Sequence, residues 1–574
     1  MRSLSRYLFF YINLAKRAIK IIQHEGFLAL FKKFHFKISQ FHYYHTYIHK
    51  EDKLTIPSSF NYRPLISIVM PVYNTELTLL KKAISSLFQQ SYDRWELCIC
   101  DDCSTSQETL AYLHQISKLN NKIHIIFSHH NEGISQTTNK AITLAQGQYI
   151  GFMDHDDLLP KHALSIIVNE INKKRNADIF YTDNDYISKF GLRFNPAFKP
   201  DWSEDMLLSL HYITHFLIVK KSLVKKVGSL KKKFDGVQDY DFILRATELT
   251  DKIVHIPFVL YHWRFHEGSL SLNKEKAEEL RFKARLALEE SLQRRRIRGH
   301  ILFTEYPSIF RLQRTLFKKP LISIIIPTRD KRDILDACLK SILKKTHYTP
   351  YELLVINNSS TKESLAHMTN LQKKGIKIFH YQAPFNFSSI INFGVSKAHG
   401  EYIVILNNDT EIITPDWLES LLEHSQREDV GVVSPKLLFP NKKIQHAGVL
   451  LHPKKIAVHA NYFKPSNDFT SNFIRDYSAV SGACMMFRKS IFLKIGKFDE
   501  IFPIQYNDID FCLRLRKKNY HVIYTPYAEL YHYESLTRVK SYDLEQKKVF
   551  IQRWREVINK DPFISKDILL QDIQ

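Results

Sequence analysis

Cysteine is scarce in this chain, and long apolar runs are missing. Six cysteines occur in 574 residues, at positions 98, 100, 103, 338, 484 and 512. Cys98 and Cys100 should point to one side of a strand, but no second cluster supplies the remaining ligands of a zinc site. Reduced thiols, as in a cytosolic protein, are the expectation. The N-terminal segment's longest apolar run, Tyr7 to Ile12, is far below the ~20 residues that span a bilayer, and no small-residue cleavage site follows it. Zinc-finger spacing and the aromatic-rich strand motif of an RNA-recognition fold are also absent. No low-complexity tract interrupts an apolar content of 44%, so a folded chain with ample core is expected.

Acidic residues are in deficit, 59 Asp and Glu against 82 Lys and Arg, for a formal charge of +23. Nucleic acid, an anionic membrane and phosphorylated substrates would each attract such a chain. Residues 1–60 concentrate the excess, and the remainder spreads through the chain, which argues against a dedicated nucleic-acid reader. On a helical wheel Leu4, Leu8, Tyr11, Ala15, Ile19 and Ile22 share one face, with Arg6, Asn13, Arg17 and Lys20 on the other. Such a helix can rest on an anionic membrane surface or pack on its own domain, and both placements stay open.

What is present is a pattern that occurs twice. Ile66-Ser67-Ile68-Val69-Met70-Pro71 returns as Ile322-Ser323-Ile324-Ile325-Ile326-Pro327, and Gly147 to Asp156 returns as Gly400 to Asp409. Gln238-Asp239-Tyr240-Asp241 matches Asn507-Asp508-Ile509-Asp510, and Tyr261-His262 matches Tyr531-His532. Two copies of one domain in tandem are expected, which suits a length beyond what one core supports. Short apolar runs at 66–70, 96–100, 123–127 and 149–153 alternate with the helical periodicity of 78–89. This βαβ rhythm predicts an α/β fold with a mostly parallel, Rossmann-like sheet in each copy. Ligands in such sheets sit at the carboxyl ends of the strands. There lie Tyr73-Asn74, Asp101-Asp102 and Asp154-His155-Asp156.

The spacing of Asp154 and Asp156 turns both carboxylates to one side of extended chain. Two oxygen ligands on one face suit Mg2+ or Mn2+, ions often held by one or two carboxylates with substrate phosphates completing the shell. An acidic turn capping the helix after Pro160 would explain the same residues.

Taken together, Pro71-Val72-Tyr73-Asn74, Asp101-Asp102-Cys103-Ser104-Thr105, Asp154-His155-Asp156-Asp157 and Gln238-Asp239-Tyr240-Asp241 resemble the inverting, family 2 type nucleotide-sugar glycosyltransferases of the GT-A fold. That large family includes chondroitin, hyaluronan and O-antigen transferases. Pro320 to Asp330, Leu406-Asn407-Asn408-Asp409-Thr410-Glu411, Gln445-His446-Ala447-Gly448 and His532-Tyr533-Glu534-Ser535 look like the tandem bacterial transferases of O-antigen, capsule and rhamnan assembly. The resemblance spans about residues 64–545. It implies that Asp102 pairs with the pyrimidine base while Pro71, Val72, Tyr73 and Asn74 line the nucleoside pocket. Asp154, Asp156 and His262 would hold the metal, and Asp239 would be the general base. In the second copy it implies Pro327, Thr328, Arg329 and Asn358 for the nucleotide, Asp409 and His532 for the metal, and Asp508 as base. His262 also reads as an aromatic-flanked core histidine. Asn357-Asn358 stands where relatives usually keep a carboxylate, but an Asn amide oxygen still accepts from a pyrimidine N–H. Asp241 and Asp510 fall in a helix's first turn, where the dipole favours them structurally. Gln445 to Gly448 fits either an acceptor or nucleotide contact or a turn.

The expected organisation is a basic amphipathic segment (1–60), a first GT-A domain (64–272), a helix and linker (273–318), a second GT-A domain (319–545) and a helical tail (546–574). The expected activity moves sugars from UDP- or dTDP-sugars to a lipid-linked or lipopolysaccharide-type oligosaccharide. The place would be the inner face of the bacterial inner membrane, with peripheral membrane contact and no nucleic acid. Two active sites are expected, and the alternative keeps one copy as an acceptor-binding or assembly module.

Overall fold

The computed structural model describes residues 44, 46–48, 57, 59–264, 274–358, 361–373, 375–533 and 544–564. The amphipathic 4–22 stretch and Glu534 therefore lie outside the described residues. Two compact units divide the chain, one holding the described residues up to Trp202 with His211–Ser291, the other Ser203–Leu210 with Leu292–Ile564.

In the first unit, β1 (Ile66–Val72), β2 (Trp95–Asp101), β3 (Ile123–Phe127) and β4 (Tyr149–Phe152) are parallel, in the order β3-β2-β1-β4. The sheet continues through β7 (Leu217–Lys220), β5 (Ile179–Ile187) and β6 (Arg193–Ala197), and β8 (Ile253–Arg264) pairs in parallel with β5. Both faces are covered, so β1 is apolar almost throughout rather than alternating. Helix α1 (Leu77–Phe88) buries Leu80, Ala83, Ile84 and Leu87, the stripe that a 3.6-residue period puts on one side.

The second unit opens with the hairpin β9 (Gly299–Phe303) and β10 (Phe310–Arg314). Then β11 (Ile322–Thr328), β12 (Tyr351–Asn358), β13 (Lys377–Tyr381) and β14 (Tyr402–Leu406) repeat the parallel order. The sheet also contains β15 (Thr410–Ile412), β16 (Val430–Leu438) and β17 (Ile444–His446). A separate hairpin joins β18 (Val449–His452) and β19 (Ile456–His459), while β20 (Arg475–Asp476), β21 (Cys484–Arg488) and β22 (His521–His532) complete the large sheet.

A buried polar latch explains part of the repeated motif. Ser67 Oγ donates to Glu96 Oε1 at 2.5 Å and accepts the Gly147 N–H at 2.8 Å. The second unit rebuilds it from Ser323, Glu352 and Gly400. A Cβ on Gly147 would lie 2.4 Å from the Leu65 carbonyl oxygen, and one on Gly400 would lie 2.6 Å from the Ser323 amide nitrogen. Backbone approaches that closely only at glycine.

His521 makes the second unit's stability pH-dependent. Burial lowers its pKa, but its 2.7 Å bond to Asp476 and that carboxylate's charge outweigh burial and lift it from 6.5 to about 9. A histidine raised on folding contributes stability that is complete below pH 6.5 and lost as pH rises through 9. Thermal unfolding followed from pH 6 to pH 9.5 should show the second unit's transition falling, with a flatter profile in His521→Ala.

Candidate active sites

In the first unit the residues predicted for the site, Pro71 to Asn74, Asp102 and Asp154 to Asp156, lie at the carboxyl ends of β1, β2 and β4. Pro71 and Val72 close β1, Tyr73 projects half-exposed, and Asn74 adopts φ 44°. The Asn74 N–H donates to Ser104 Oγ at 2.9 Å, and its Oδ1 accepts the Thr105 N–H at 2.8 Å, so the loops after β1 and β2 are tied together. Asp102 is buried and accepts the N–H groups of Glu132 (2.8 Å) and Gly133 (3.0 Å). Its carboxylate thus anchors the entry to α2 (Ile134–Leu144), with lone-pair capacity remaining on each oxygen.

The four residues after Met153 divide their work. Asp157 is fully buried, accepting the Arg264 N–H and the Tyr261 hydroxyl, each at 2.6 Å. Burial drives its pKa well above the usual carboxylate range. It clamps the end of β8 against the Asp-His-Asp turn, and Arg264 Nε adds a 2.6 Å bond to the Asp156 carbonyl. Asp154 and Asp156 keep partly exposed side chains. Burial raises Asp154, His215 opposes that from 3.4 Å, and the charges of Asp156 and Asp239 raise it further. The two proposed ligands and the proposed base therefore share one electrostatic environment. His262 is buried at the end of β8, exchanging backbone bonds with Leu158 and placing Nδ1 2.5 Å from Asp185 Oδ1.

Asp239 is the second residue of α3 (Gln238–Thr247). Burial alone would raise it, but the charge and 3.1 Å hydrogen bond of His211, with help from His215 and the Tyr240 N–H, bring it down to about 2. Two residues on, Asp241 is buried against Arg245, at 2.6 and 3.0 Å, which fits a structural duty. His211 stacks on Tyr240 and His215 on Tyr261. Sequence reasoning missed both histidines, because the repeat guided it and they are not repeated. Lys220 lies opposite Tyr149 as Arg488 lies opposite Tyr402. Counting back residue by residue from these pairs, through the irregular chain before each strand, puts Ala479 and Ala483 where the first unit has His211 and His215.

The second unit assembles its expected ligands more tightly. Asp409 Oδ1 stands 3.2 Å from His532 Nε2, and Asn407 Nδ2 is 3.3 Å from the same nitrogen. His532 Nδ1 is 2.5 Å from Gln445 Oε1, which can only accept. A proton therefore sits on Nδ1, Nε2 has the Asn407 amide beside it, and the neighbouring Asp409 Oδ1 is a buried carboxylate oxygen with no hydrogen-bond donor. A divalent cation would satisfy that oxygen beside an imidazole nitrogen, so the donor set fits one. Asn358 Nδ2 donates to the carbonyls of Tyr381 (3.1 Å) and Ala383 (2.9 Å), leaving its amide oxygen as the acceptor that a pyrimidine N–H needs. Thr328 is buried and accepts from Asn408 Nδ2 at 3.0 Å, Pro327 precedes it, and Arg329 is exposed. Asp508 begins α4 (Asn507–Lys517), where it accepts the N–H groups of Gly482 and Ile509, each at 2.8 Å. Among the described residues, no three His, Cys, Asp or Glu side chains close into a ready-made metal cage.

The Gln445 to Gly448 stretch contains a left-handed turn and a side-chain contact to His532. Gln445 orients His532, while Gly448 holds φ 106° with a position for Cβ only 2.2 Å from the Tyr477 ring. Gly448→Ala must displace a buried tyrosine and adopt a strained backbone. Roughly 2 kcal/mol or more of the second unit's stability should be lost, read as a lower urea midpoint.

A family model described as Glycosyl transferase family 2 matches residues 67–228 and again 323–496, one match in each unit. The chain belongs to glycosyl transferase family 2. It is 36% identical over 527 residues to an uncharacterized protein of Sinorhizobium fredii, covering 88% of this chain and 58% of that protein. It is 33% identical over 484 residues to the O-antigen biosynthesis protein RfbC of Myxococcus xanthus, covering 83% of this chain and 38% of that protein. A chondroitin synthase of Pasteurella multocida is 25% identical over 417 residues, covering 64% of this chain and 41% of the synthase. The chain thus spans about half the length of these curated relatives. Its two mixed α/β sheets are the GT-A arrangement of a family 2 glycosyltransferase, present twice.

Proposed function

We propose that the chain is an inverting, metal-dependent glycosyltransferase that uses UDP- or dTDP-sugars and carries one active site in each unit. The observation that carries the reading is the second unit's meeting of Asp409 and His532 at 3.2 Å; the base candidate Asp508 is the second residue of α4. The first unit gives parallel support, with His215 3.4 Å from Asp154 and His211 3.1 Å from Asp239.

In the first unit, Asp154, Asp156 and His262 would hold Mn2+ or Mg2+; in the second, Asp409 and His532. The cation supplies charge neutralisation for the diphosphate leaving group. Asp102 and the 71–74 loop receive the nucleoside, as Asn358 and the 327–329 turn do in the second unit. Asp239 takes the proton of the acceptor hydroxyl as that oxygen bonds to the anomeric carbon. The bond from that carbon to the diphosphate oxygen breaks on the opposite face, and the nucleoside diphosphate departs. The anomeric centre inverts.

The relatives named for O-antigen and chondroitin synthesis support a lipid-linked or lipopolysaccharide-type oligosaccharide as acceptor. The basic surplus suits its phosphates and a peripheral place on the inner face of the bacterial inner membrane. Among the described residues no helix is long and apolar enough to cross a membrane. Turnover of a nucleotide-sugar panel with Mn2+ tests the activity; no transfer and no donor hydrolysis would refute it.

A second reading, with only the first unit catalytic, is favoured by Ala479 and Ala483, which leave Asp508 without the histidine that Asp239 has. Asp239→Asn and Asp508→Asn separate the two readings. Loss of two different linkages supports two activities, and a silent Asp508→Asn supports one.

A further inference from the structure

Asp185 is a fully buried carboxylate of the first unit that touches His262. It sits on β5 directly opposite His262 in the parallel pairing with β8, and its side chain is 0% exposed. Three donors converge on it: His262 Nδ1 at 2.5 Å, Arg193 Nε at 2.6 Å, and the Tyr44 hydroxyl. Arg193 also donates to the Tyr44 oxygen at 3.1 Å and lies over its ring. Tyr44 itself is buried with Tyr47, Val259 and Phe198. The chain's N-terminal portion thus reaches, through one phenol, the group that orients His262.

We propose that Asp185, held by Tyr44 and Arg193, is the positioning carboxylate of the first cation site and makes that site bind its divalent ion more tightly than the second. The inference rests on the reading of His262 and His532 as cation ligands. A carboxylate on Nδ1 fixes the proton there, aims the Nε2 lone pair outward and makes that nitrogen a stronger donor. Arg193 and Tyr44 balance the buried charge, so the carboxylate stays ionised without an open desolvation penalty. In the second unit the same 2.5 Å contact to Nδ1 comes from Gln445, a neutral amide on β17. The tautomer is fixed there too, but the ligand gains less electron density. The second site also replaces the first Asp of its acidic motif by Asn407. Both differences act in one direction.

The test is Mn2+ binding to the full chain, read from loss of the free-ion electron paramagnetic resonance signal with and without UDP. The parent should show a tighter and a weaker class of site. Asp185→Asn should weaken the tight class about 10- to 100-fold, and Tyr44→Phe should weaken it by a smaller factor. Gln445→Glu should tighten the weak class. If Asp185→Asn does not fold, Tyr44→Phe and Gln445→Glu carry the test. A parent that binds no Mn2+ in either condition overturns the cation reading itself. A parent that binds, with affinities unchanged in all folded variants, overturns the role of Asp185 and leaves that reading standing.

Discussion

Replacing Asp239 by Asn should lower the first unit's transfer rate about 10²- to 10⁴-fold, the range that a positioned general base supplies, with the protein still folded. Asn keeps the shape and can still bond to His211, but it cannot take the acceptor proton. The loss should fall on kcat, with the donor's KM little changed, because the proposed cation and nucleoside contacts lie on other residues. His211→Ala is the informative companion. It removes the partner whose charge and hydrogen bond bring Asp239 down to about 2. The carboxyl's pKa should then rise, and the acid limb of kcat/KM should move to higher pH. Equal activity in Asp239→Asn and the parent, measured with single-turnover donor consumption, would remove the base from the mechanism. Asp508→Asn should act in the same direction on the second unit's linkage.

The sequence carried the four parallel strands of the first sheet, because strands buried on both faces leave short apolar runs, while the antiparallel β5, β6 and β7 that make the sheet mixed were not foreseen. The run 123–127 matches β3 residue for residue, and 149–153 differs from β4 by one terminal position. The acidic motifs were legible for a related reason: strand ends in such sheets are where ligands go, and the repeat marked them twice. Roles inside the motifs were harder to read. Asp154, Asp156 and Asp157 look equivalent in sequence, yet only folding the end of β8 onto the turn makes Asp157 a buried clamp. The partners of the two late histidines were invisible, since Asp185 and Gln445 come from different strands and share no pattern. His211 and His215 occupy irregular chain with no periodicity to flag them.

A second large effect is expected far from the chemistry, in the charge cluster that the second unit buries. Asp205 is 2% exposed and receives Arg427 Nη1 on both oxygens, at 2.6 and 2.7 Å, with Arg314 at 3.2 Å. Burial opposes ionisation of Asp205, but Arg427 and Arg314 prevail and hold its pKa far below the usual carboxylate range. His424 lies beside them with neither ring nitrogen hydrogen-bonded, and burial lowers it to about 3. It cannot replace a lost cation at neutral pH. Arg427→Ala therefore leaves a buried carboxylate with only the longer Arg314 contact, and about 3–5 kcal/mol should be lost from the second unit. Asp205→Asn with Arg427→Met should cost much less than that single change, because the expense lies in the stranded charge rather than in the missing pair. The sign with pH follows from the depressed carboxyl. Its stabilisation is present above the unfolded pKa near 3.8 and fades as pH falls toward the folded value. Urea unfolding of the second unit at pH 7 and pH 3.5 should thus show a large gap between parent and Arg427→Ala at the higher pH and a smaller one at the lower. A gap that stays the same at both would mean the arginine acts by packing, not by charge.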